Sequence, residues 1–178
     1  MIKETLVAGS EWFRICDRAW ADPTDDTFAQ ALGGRWNPPG SWRTLYLSGD
    51  VVTARLNLDR FIAQWPYEPE DLDDRFGPDL AVVTLPRSQN VADVHSARGV
   101  RSAGLPATYP FDARGREVPH EVCQAVGERA RTHKLRGVHT RSAATPHGAG
   151  RELAWFPATT RSRAALARRL SFTDWFWG

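Results

Sequence analysis

The sequence is poor in lysine, although it is rich in basic residues. Only Lys3 and Lys134 are lysines among the 23 basic residues, so 21 are arginines. The 21 acidic residues leave a formal net charge of +2. Proteins that coat nucleic acid usually carry a basic excess on one face, so this balance argues against direct nucleic acid binding.

Cysteine is also scarce, and long apolar runs are absent. Cys16 and Cys123 are far apart and form no CxxC motif, so we expect two reduced thiols and neither a structural zinc nor a disulfide framework. The first residues lack the apolar run of a signal peptide. No stretch approaches the ~20 apolar residues of a membrane helix. The sequence thus predicts a soluble, cytoplasmic protein with no membrane partner.

The residues that are abundant indicate a well-packed core. Hydrophobic residues make up 42% and aromatic residues 11% of the 178 positions, including eight Trp. This composition excludes wholesale disorder, and the length suits one compact domain over residues 1–178.

The order of predicted elements favours an α+β fold, because strands and helices mix without regular βαβ alternation. Predicted strands cover residues 12–15, 44–47, 80–85, 137–140 and 153–156. Predicted helices cover residues 51–64, after the N-cap Asp50, and residues 119–133 and 161–170. The acidic residues 66–80 are expected to form a solvated loop, and residues 97–117 a long irregular segment.

The last predicted helix is basic and amphipathic, and an aromatic tail follows it. The tail contains Trp175, Phe176 and Trp177. One reading packs the helix on the domain with its arginines outward, and the other makes helix and tail a partner surface.

Most familiar catalytic motifs are absent. The sequence has no dinucleotide-binding GxGxxG, P-loop, HExxH or GxSxG. The five His are scattered, so no metal site is predicted, and His139 in a predicted strand is expected to be structural.

The loop GGRWNPPG is the strongest local signal for a binding site. Its two glycines permit a tight turn that directs the planar guanidinium of Arg35 towards a pocket. Tyr46 on the next strand offers a flat face, and Asn57 on the next helix offers hydrogen bonds. This set suits a nucleotide-like ligand. The alternative is a structural turn with an exposed arginine and a core tyrosine.

These segments together resemble the RES domain family, the toxins of RES–Xre toxin–antitoxin systems. The resemblance covers about residues 10–157 and is carried by WFRI, GGRWNPPG, TLYLS, DVVTARLN, GVHTRSA and ELAWF. It implies an ADP-ribosyltransferase-like fold of mixed, mainly antiparallel sheets with flanking helices. It also implies NAD+ as substrate without a metal, an Xre-type helix-turn-helix antitoxin that covers the NAD+ pocket, and a toxin homodimer.

The family motif maps onto five positions of this chain. Arg14 and Arg35 are expected to hold the diphosphate, Tyr46 to stack on nicotinamide, and Ser142 to hydrogen-bond the amide or ribose. The family's acidic residue falls on Asn57, which has no charge and cannot act as a base.

Several explanations of Asn57 remain open at this point. The chain is a weakened or inactive relative, or another acid substitutes, with Asp59 and Glu152 as candidates. Asp59 points about 200° away from Asn57 around a helix. A shifted alignment and an engineered change are the remaining explanations.

The functional expectation is cleavage of NAD+ at the nicotinamide–ribose bond, by hydrolysis or ADP-ribosyl transfer. One alternative is a catalytically inactive module that binds NAD+, another nucleotide or a partner. The other is an ADP-ribosyltransferase that modifies one specific protein. If the chain is a weakened enzyme, Asn57→Glu is expected to raise turnover.

Overall fold

The computed structural model describes all residues from Met1 to Gly178 and contains eight strands and five α-helices. The strands are β1 (Lys3–Leu6), β2 (Glu11–Cys16), β3 (Leu45–Ser48), β4 (Asp79–Thr84), β5 (Gln89–Val94), β6 (Gly137–Arg141), β7 (Arg151–Trp155) and β8 (Ala165–Leu170). The helices are α1 (Thr27–Leu32), α2 (Val51–Ile62), α3 (Ala97–Ser102), α4 (His120–Thr132) and α5 (Phe172–Phe176). Short 3-10 helices lie at Pro69–Asp71, Pro146–Gly148 and Thr160–Ser162.

All eight strands belong to one mixed sheet in the order β1-β5-β6-β7-β3-β2-β4-β8. Every neighbouring pair is antiparallel except β5 and β6, whose connection carries α3 and α4. The predicted α+β class is confirmed. Strand β3 lies between β2 and β7, so residues from these three strands meet near the middle of the sheet.

Helix α2 forms where its cap and apolar spacing predict it. Asp50 accepts a hydrogen bond from the Thr53 backbone N–H at 2.6 Å, which satisfies a free donor of the first turn. Ala54, Leu58 and Ile62 then recur on one face and are buried against α5 and the sheet. The opposite face of α2 remains free to present other side chains.

The C-terminal segment differs from its prediction. Residues 165–170 form the edge strand β8 and not a helix, because their backbone pairs with the otherwise open edge of β4. Tertiary pairing thus overrides local helix propensity. The arginines of this strand lie along the sheet edge, where charged side chains hinder pairing with another chain. One of them, Arg168, forms an ion pair with Glu11 at 2.7 Å.

The aromatic tail is mostly buried, so the structure favours packing of this segment on the domain over an exposed partner surface. Trp175 and Phe176 are 2% and 4% exposed and pack with Phe172 against α2, whereas Trp177 is 50% exposed. The predicted irregular segment 97–117 contains α3, which Ser96 caps by accepting from the Gly99 N–H. Residues 66–80 are mainly loop, as predicted, although their last two begin β4.

The side chains of Cys16 and Cys123 are both buried free thiols, as predicted. The longest helix, α4, has 13 residues, and none of the helices combines the length and apolar character that crossing a bilayer requires.

Candidate functional site

The GGRWNPPG loop is fixed by close packing against Tyr46. A Cβ atom on Gly34 would lie 2.5 Å from Tyr46 Oη, so glycine is what allows this approach. Tyr46 Oη accepts from the Trp36 N–H at 2.9 Å and donates to Asn37 Oδ1 at 2.8 Å. Burial raises the pKa of Tyr46, which keeps the phenol neutral. Tyr46 therefore anchors the loop through its hydroxyl.

A cavity of about 360 Å³ lies between β2, β3, β7 and α2. Arg14 is its one basic and Glu152 its one acidic lining residue; Tyr46, Ser48 and Asn57 are further polar lining residues. The structure thus brings together three of the five predicted site residues around one cavity, namely Arg14, Tyr46 and Asn57. Ser142 does not line the cavity, but its hydroxyl donates a hydrogen bond to Glu152, which does.

Glu152 is the centre of the hydrogen bonds at this cavity. Its Oε1 accepts from Ser142 Oγ at 2.7 Å and from Asn57 Nδ2 at 2.9 Å. Asn57 Nδ2 also lies 3.4 Å from Ser48 Oγ. Ser142 is fully buried, and its hydroxyl also accepts from the Ala144 N–H at 3.2 Å. The predicted positions 57 and 142 are therefore joined by a carboxylate.

Strand register explains why Glu152 reaches the cavity. Ser48 of β3 pairs directly with Glu152 of β7, and side chains of directly opposed residues lie on the same face. Tyr46, two residues before Ser48, shares that face because strand side chains alternate. Helix α2 begins only three residues after β3 and folds back, which brings Asn57 above Ser48.

Arg14 is the cation of the cavity. Its Nη1 donates to the carbonyl oxygens of Pro23 and Asp25 at 2.9 and 2.8 Å, and its guanidinium lies over the Trp20 ring at 5.4 Å. Burial lowers the pKa of Arg14, but a guanidinium stays charged at neutral pH. The hydrogen bonds within the protein use only Nη1, so Nη2 and Nε are available to an anionic ligand.

Arg35 is not part of the cavity lining, contrary to its expected place beside Arg14. Its guanidinium forms an ion pair with Glu117 and donates to the Val118 carbonyl at 3.2 Å. Glu117 also pairs with Arg60 of α2. Burial alone would raise the pKa of Glu117, but hydrogen bonds from Arg60 and Arg35 hold it below its ordinary value. In this structure Arg35 links the loop to Glu117.

A second, more apolar cavity of about 530 Å³ adjoins the first. The two share Ile15, Trp20 and Asn57 as lining residues. Aromatic side chains such as Phe61 and Tyr67 line the second cavity. Together the two cavities form one cleft, in which Arg14 and Glu152 belong to the smaller cavity and Phe61 and Tyr67 to the larger one.

Asp59, the other candidate for a replacement acid, lies elsewhere. It lines a separate cavity with Arg55 and Phe176, and burial raises the pKa of its carboxyl. Glu152 is thus the candidate acid that the structure places beside Asn57.

His139 belongs to a cluster that the sequence did not reveal. Its Nδ1 and the Nε2 of His95 lie 2.7 and 3.1 Å from Glu4 Oε2, close enough for a shared metal ion. Zinc ligands at ~2.0–2.1 Å from the metal lie roughly 3.3 Å apart, and a ligating histidine normally donates its other N–H. His139 Nε2 is buried without a partner. A carboxylate hydrogen-bonded between two imidazoles fits these contacts better than a metal centre.

Comparison with known proteins identifies the family. The model of the RES domain family matches residues 11–174, and the chain belongs to this family. The fold is similar to that of a chain in the crystal structure of the M. tuberculosis MbcT–MbcA toxin–antitoxin complex, with a TM-score of 0.74 and 19% sequence identity. The similarity covers 98% of this chain and 92% of that chain. No curated protein matches the sequence.

Proposed function

We propose that this chain is a RES-type toxin of a toxin–antitoxin system that binds NAD+ and cleaves its nicotinamide–ribose bond. The main support is one cavity. It is lined by one guanidinium, Arg14, and one carboxylate, Glu152, together with Tyr46 and Asn57. Membership of the RES domain family and the shared fold of a toxin–antitoxin complex support the same proposal. The ADP-ribose acceptor is water or a protein side chain.

The two-cavity cleft suits a dinucleotide. The smaller cavity would take the nicotinamide riboside, with the Tyr46 ring against the nicotinamide. The larger cavity would take the adenine against its aromatic side chains. Arg14, which lines the smaller cavity, would then pair with the diphosphate, as a guanidinium suits phosphate oxygens.

The reaction requires charge stabilisation more than proton transfer. When the glycosidic bond breaks, positive charge spreads over C1′ and the ring oxygen of the ribose. A fixed negative group beside that position stabilises the transition state more than the ground state. Partial burial of Glu152 makes such an interaction stronger than it would be in bulk water, because it lowers the effective dielectric.

An antitoxin is the partner that fits the surface around the cleft. Four lining residues of the two cavities expose much of their side chains, namely Trp20 at 41%, Phe28 at 62%, Phe61 at 54% and Phe76 at 68%. Apolar side chains clustered at a cavity mouth are typical of a surface that another protein covers. An Xre-type helix-turn-helix antitoxin and a homodimer of this chain remain parts of the proposal.

The test is NAD+ consumption by the purified chain. Nicotinamide and ADP-ribose are followed by chromatography, and labelled NAD+ in a lysate reveals any single modified protein. We expect nicotinamide release, which Arg14→Ala should reduce at low NAD+ concentration. Lys134→Ala, a change away from the cleft, serves as the matched control. Absence of NAD+ turnover together with absence of NAD+ binding by calorimetry would exclude the proposal.

The second candidate is a module that binds NAD+ or a partner without turnover. The uncharged Asn57 at the family's acidic position favours it. Calorimetric binding of NAD+ and of ADP-ribose with no nicotinamide release would identify this function.

A further inference from the structure

We infer that Glu152 is the catalytic carboxylate of this chain and that Asn57 is its positioning residue. The negative charge would then act from a sheet strand, although the family motif has its acid on the helix. This inference rests on the proposed NAD+ cleavage. It differs from the view that the asparagine marks a weakened enzyme.

The two carboxylate oxygens of Glu152 differ in their hydrogen bonds. Oε1 of Glu152 is held by donors from two elements, Ser142 at 2.7 Å and Asn57 at 2.9 Å. Oε2 has no hydrogen bond to the protein, and it is not among the buried polar atoms that lack a partner. The carboxylate is therefore fixed through one oxygen and accessible through the other.

The negative charge of Glu152 is not neutralised by a salt bridge. Glu152 forms no ion pair, although it is half-buried and lines the cavity. An oriented and unpaired carboxylate beside a ligand cavity is what a developing positive charge requires.

Asn57 and Glu152 complement each other as hydrogen-bond donor and acceptor. The Asn57 amide donates to Glu152, which a carboxylate at position 57 cannot do. A second carboxylate there would lie at hydrogen-bond distance from the first, and the pair would repel. Asparagine at 57 is thus compatible with a glutamate at 152, whereas a carboxylate at 57 would repel it.

The proposed step transfers C1′ of the ribose from nicotinamide to a nucleophile. The bond between C1′ of the ribose and the nicotinamide nitrogen breaks, and both its electrons go to that nitrogen, which loses its positive charge. The nucleophile, water or a protein side chain, donates an electron pair to C1′. Its proton passes to Glu152 and then to solvent. Glu152 Oε2 stabilises the cationic ribose between bond breaking and bond making.

The deciding experiment compares wild type with Glu152→Gln in steady-state NAD+ turnover. The amide keeps the shape but removes the charge, so we expect kcat to fall about 10²–10³-fold with KM little changed. Glu152→Asp, which keeps the charge, should retain more turnover than Glu152→Gln. A purely structural role would not make kcat depend on the charge at position 152 while KM stays unchanged.

The second arm exchanges the two residues. The double variant Asn57→Glu, Glu152→Asn keeps the combined volume and restores the family's charge position. We expect at least a tenfold recovery of kcat over Glu152→Gln. Thermal melting and calorimetric ADP-ribose binding confirm that each variant is folded. If Glu152→Gln does not fold, the exchange variant decides, because a folded but inactive exchange variant contradicts the inference.

The outcomes separate the inference from the proposed function. Wild type that consumes NAD+ alongside an equally active Glu152→Gln overturns the role of Glu152 and leaves the function standing. Wild type that neither consumes nor binds NAD+ overturns both. A large kcat loss in Glu152→Gln with KM little changed supports both.

Discussion

Asn57 donates from Nδ2 to Oε1 of Glu152 over 2.9 Å and so joins two residues that are 95 positions apart in the chain. The bond connects α2 to β7 across the candidate cavity. Because the donor is a neutral amide and the acceptor a carboxylate, the pair keeps a single negative charge at this place. The following predictions concern this pair, its neighbours and the packing that supports them.

Asn57→Glu is expected to lower stability without raising NAD+ turnover. The added carboxylate would lie close to Glu152, and Coulomb's law gives about 1–4 kcal/mol for like charges 4 Å apart between bulk water and a protein surface. One carboxyl of such a pair retains its proton to higher pH. The loss in melting temperature should therefore shrink between pH 7.5 and pH 4.5. Asn57→Gln, which keeps the amide, is the control, and increased turnover by Asn57→Glu alone would argue for a weakened enzyme.

Ser142→Ala is expected to reduce turnover by about tenfold or somewhat more, because hydrogen bonds to charged groups contribute about 1.5–3 kcal/mol. The substitution frees Oε1 of Glu152 from its 2.7 Å donor, so the carboxylate loses orientation. Steady-state kcat measures the effect. Ser102→Ala is the matched control, since Ser102 is exposed at the end of α3 and does not line the cavity. Equal losses in the two variants would contradict this account of the site.

Arg14 and Arg35 are expected to behave differently when each is replaced by alanine. Arg14→Ala should raise KM for NAD+ and weaken calorimetric NAD+ binding, because Arg14 lines the cavity. Arg35→Ala should chiefly lower the free energy of unfolding, by about 1–2 kcal/mol, because Glu117 loses one of two partly screened partners. Urea denaturation measures that loss. If Arg35→Ala weakens NAD+ binding as much as Arg14→Ala, then NAD+ draws Arg35 away from Glu117.

Stability is expected to fall as the pH drops from 7.5 to 5.5, in part through His139. Burial lowers the pKa of His139 below the value of ~6.5 in the unfolded chain, and the hydrogen bond with Glu4 opposes this only partly. The unfolded state then binds more protons in this range, so the contribution is full above about pH 6.5 and is lost as the pH falls towards the folded-state pKa. Urea denaturation at both pH values measures the slope.

His139→Gln is the control for this pH effect. Its amide can still donate to Glu4 but does not titrate. The variant should therefore lose less stability than wild type over the same pH interval. An unchanged slope would place the effect on other groups.

Trp175→Ala is expected to cost about 3–5 kcal/mol of unfolding free energy, because a large buried side chain leaves a cavity. The indole also donates to the Pro78 carbonyl at 2.9 Å. Trp177→Ala should change stability by no more than about 0.5 kcal/mol, since half of that side chain is exposed. Thermal and urea denaturation distinguish the two. Similar losses would contradict the buried packing of α5.

Local signals indicated part of the candidate site, and the family resemblance supplied Arg14. The glycines and Tyr46 marked the loop, Asp50 marked the start of α2, and the positions 14, 46 and 57 meet at one cavity. Glu152 was named only as a candidate because its direction depends on which residue it faces across β3 and β7. That pairing with Ser48 is a property of the sheet and not of the local sequence.

Two other features depended on distant partners. The stretch at 165–170 has a helical appearance, but the open edge of β4 makes it a strand. Arg35 was expected to face a ligand, whereas its partner Glu117 lies 82 positions further along the chain. The local sequence around residues 165–170 does not reveal β4 as a partner, and the sequence around Arg35 does not reveal Glu117.

The sequence separation of Asn57 and Glu152 has a consequence during protein synthesis. Chains emerge from the ribosome in order, and contacts between distant segments form late. A nascent chain that has reached the end of α4 already contains Arg14, Tyr46 and Asn57 but not yet the strand that carries the carboxylate. The pocket therefore acquires its negative charge only when β7 inserts between β3 and β6.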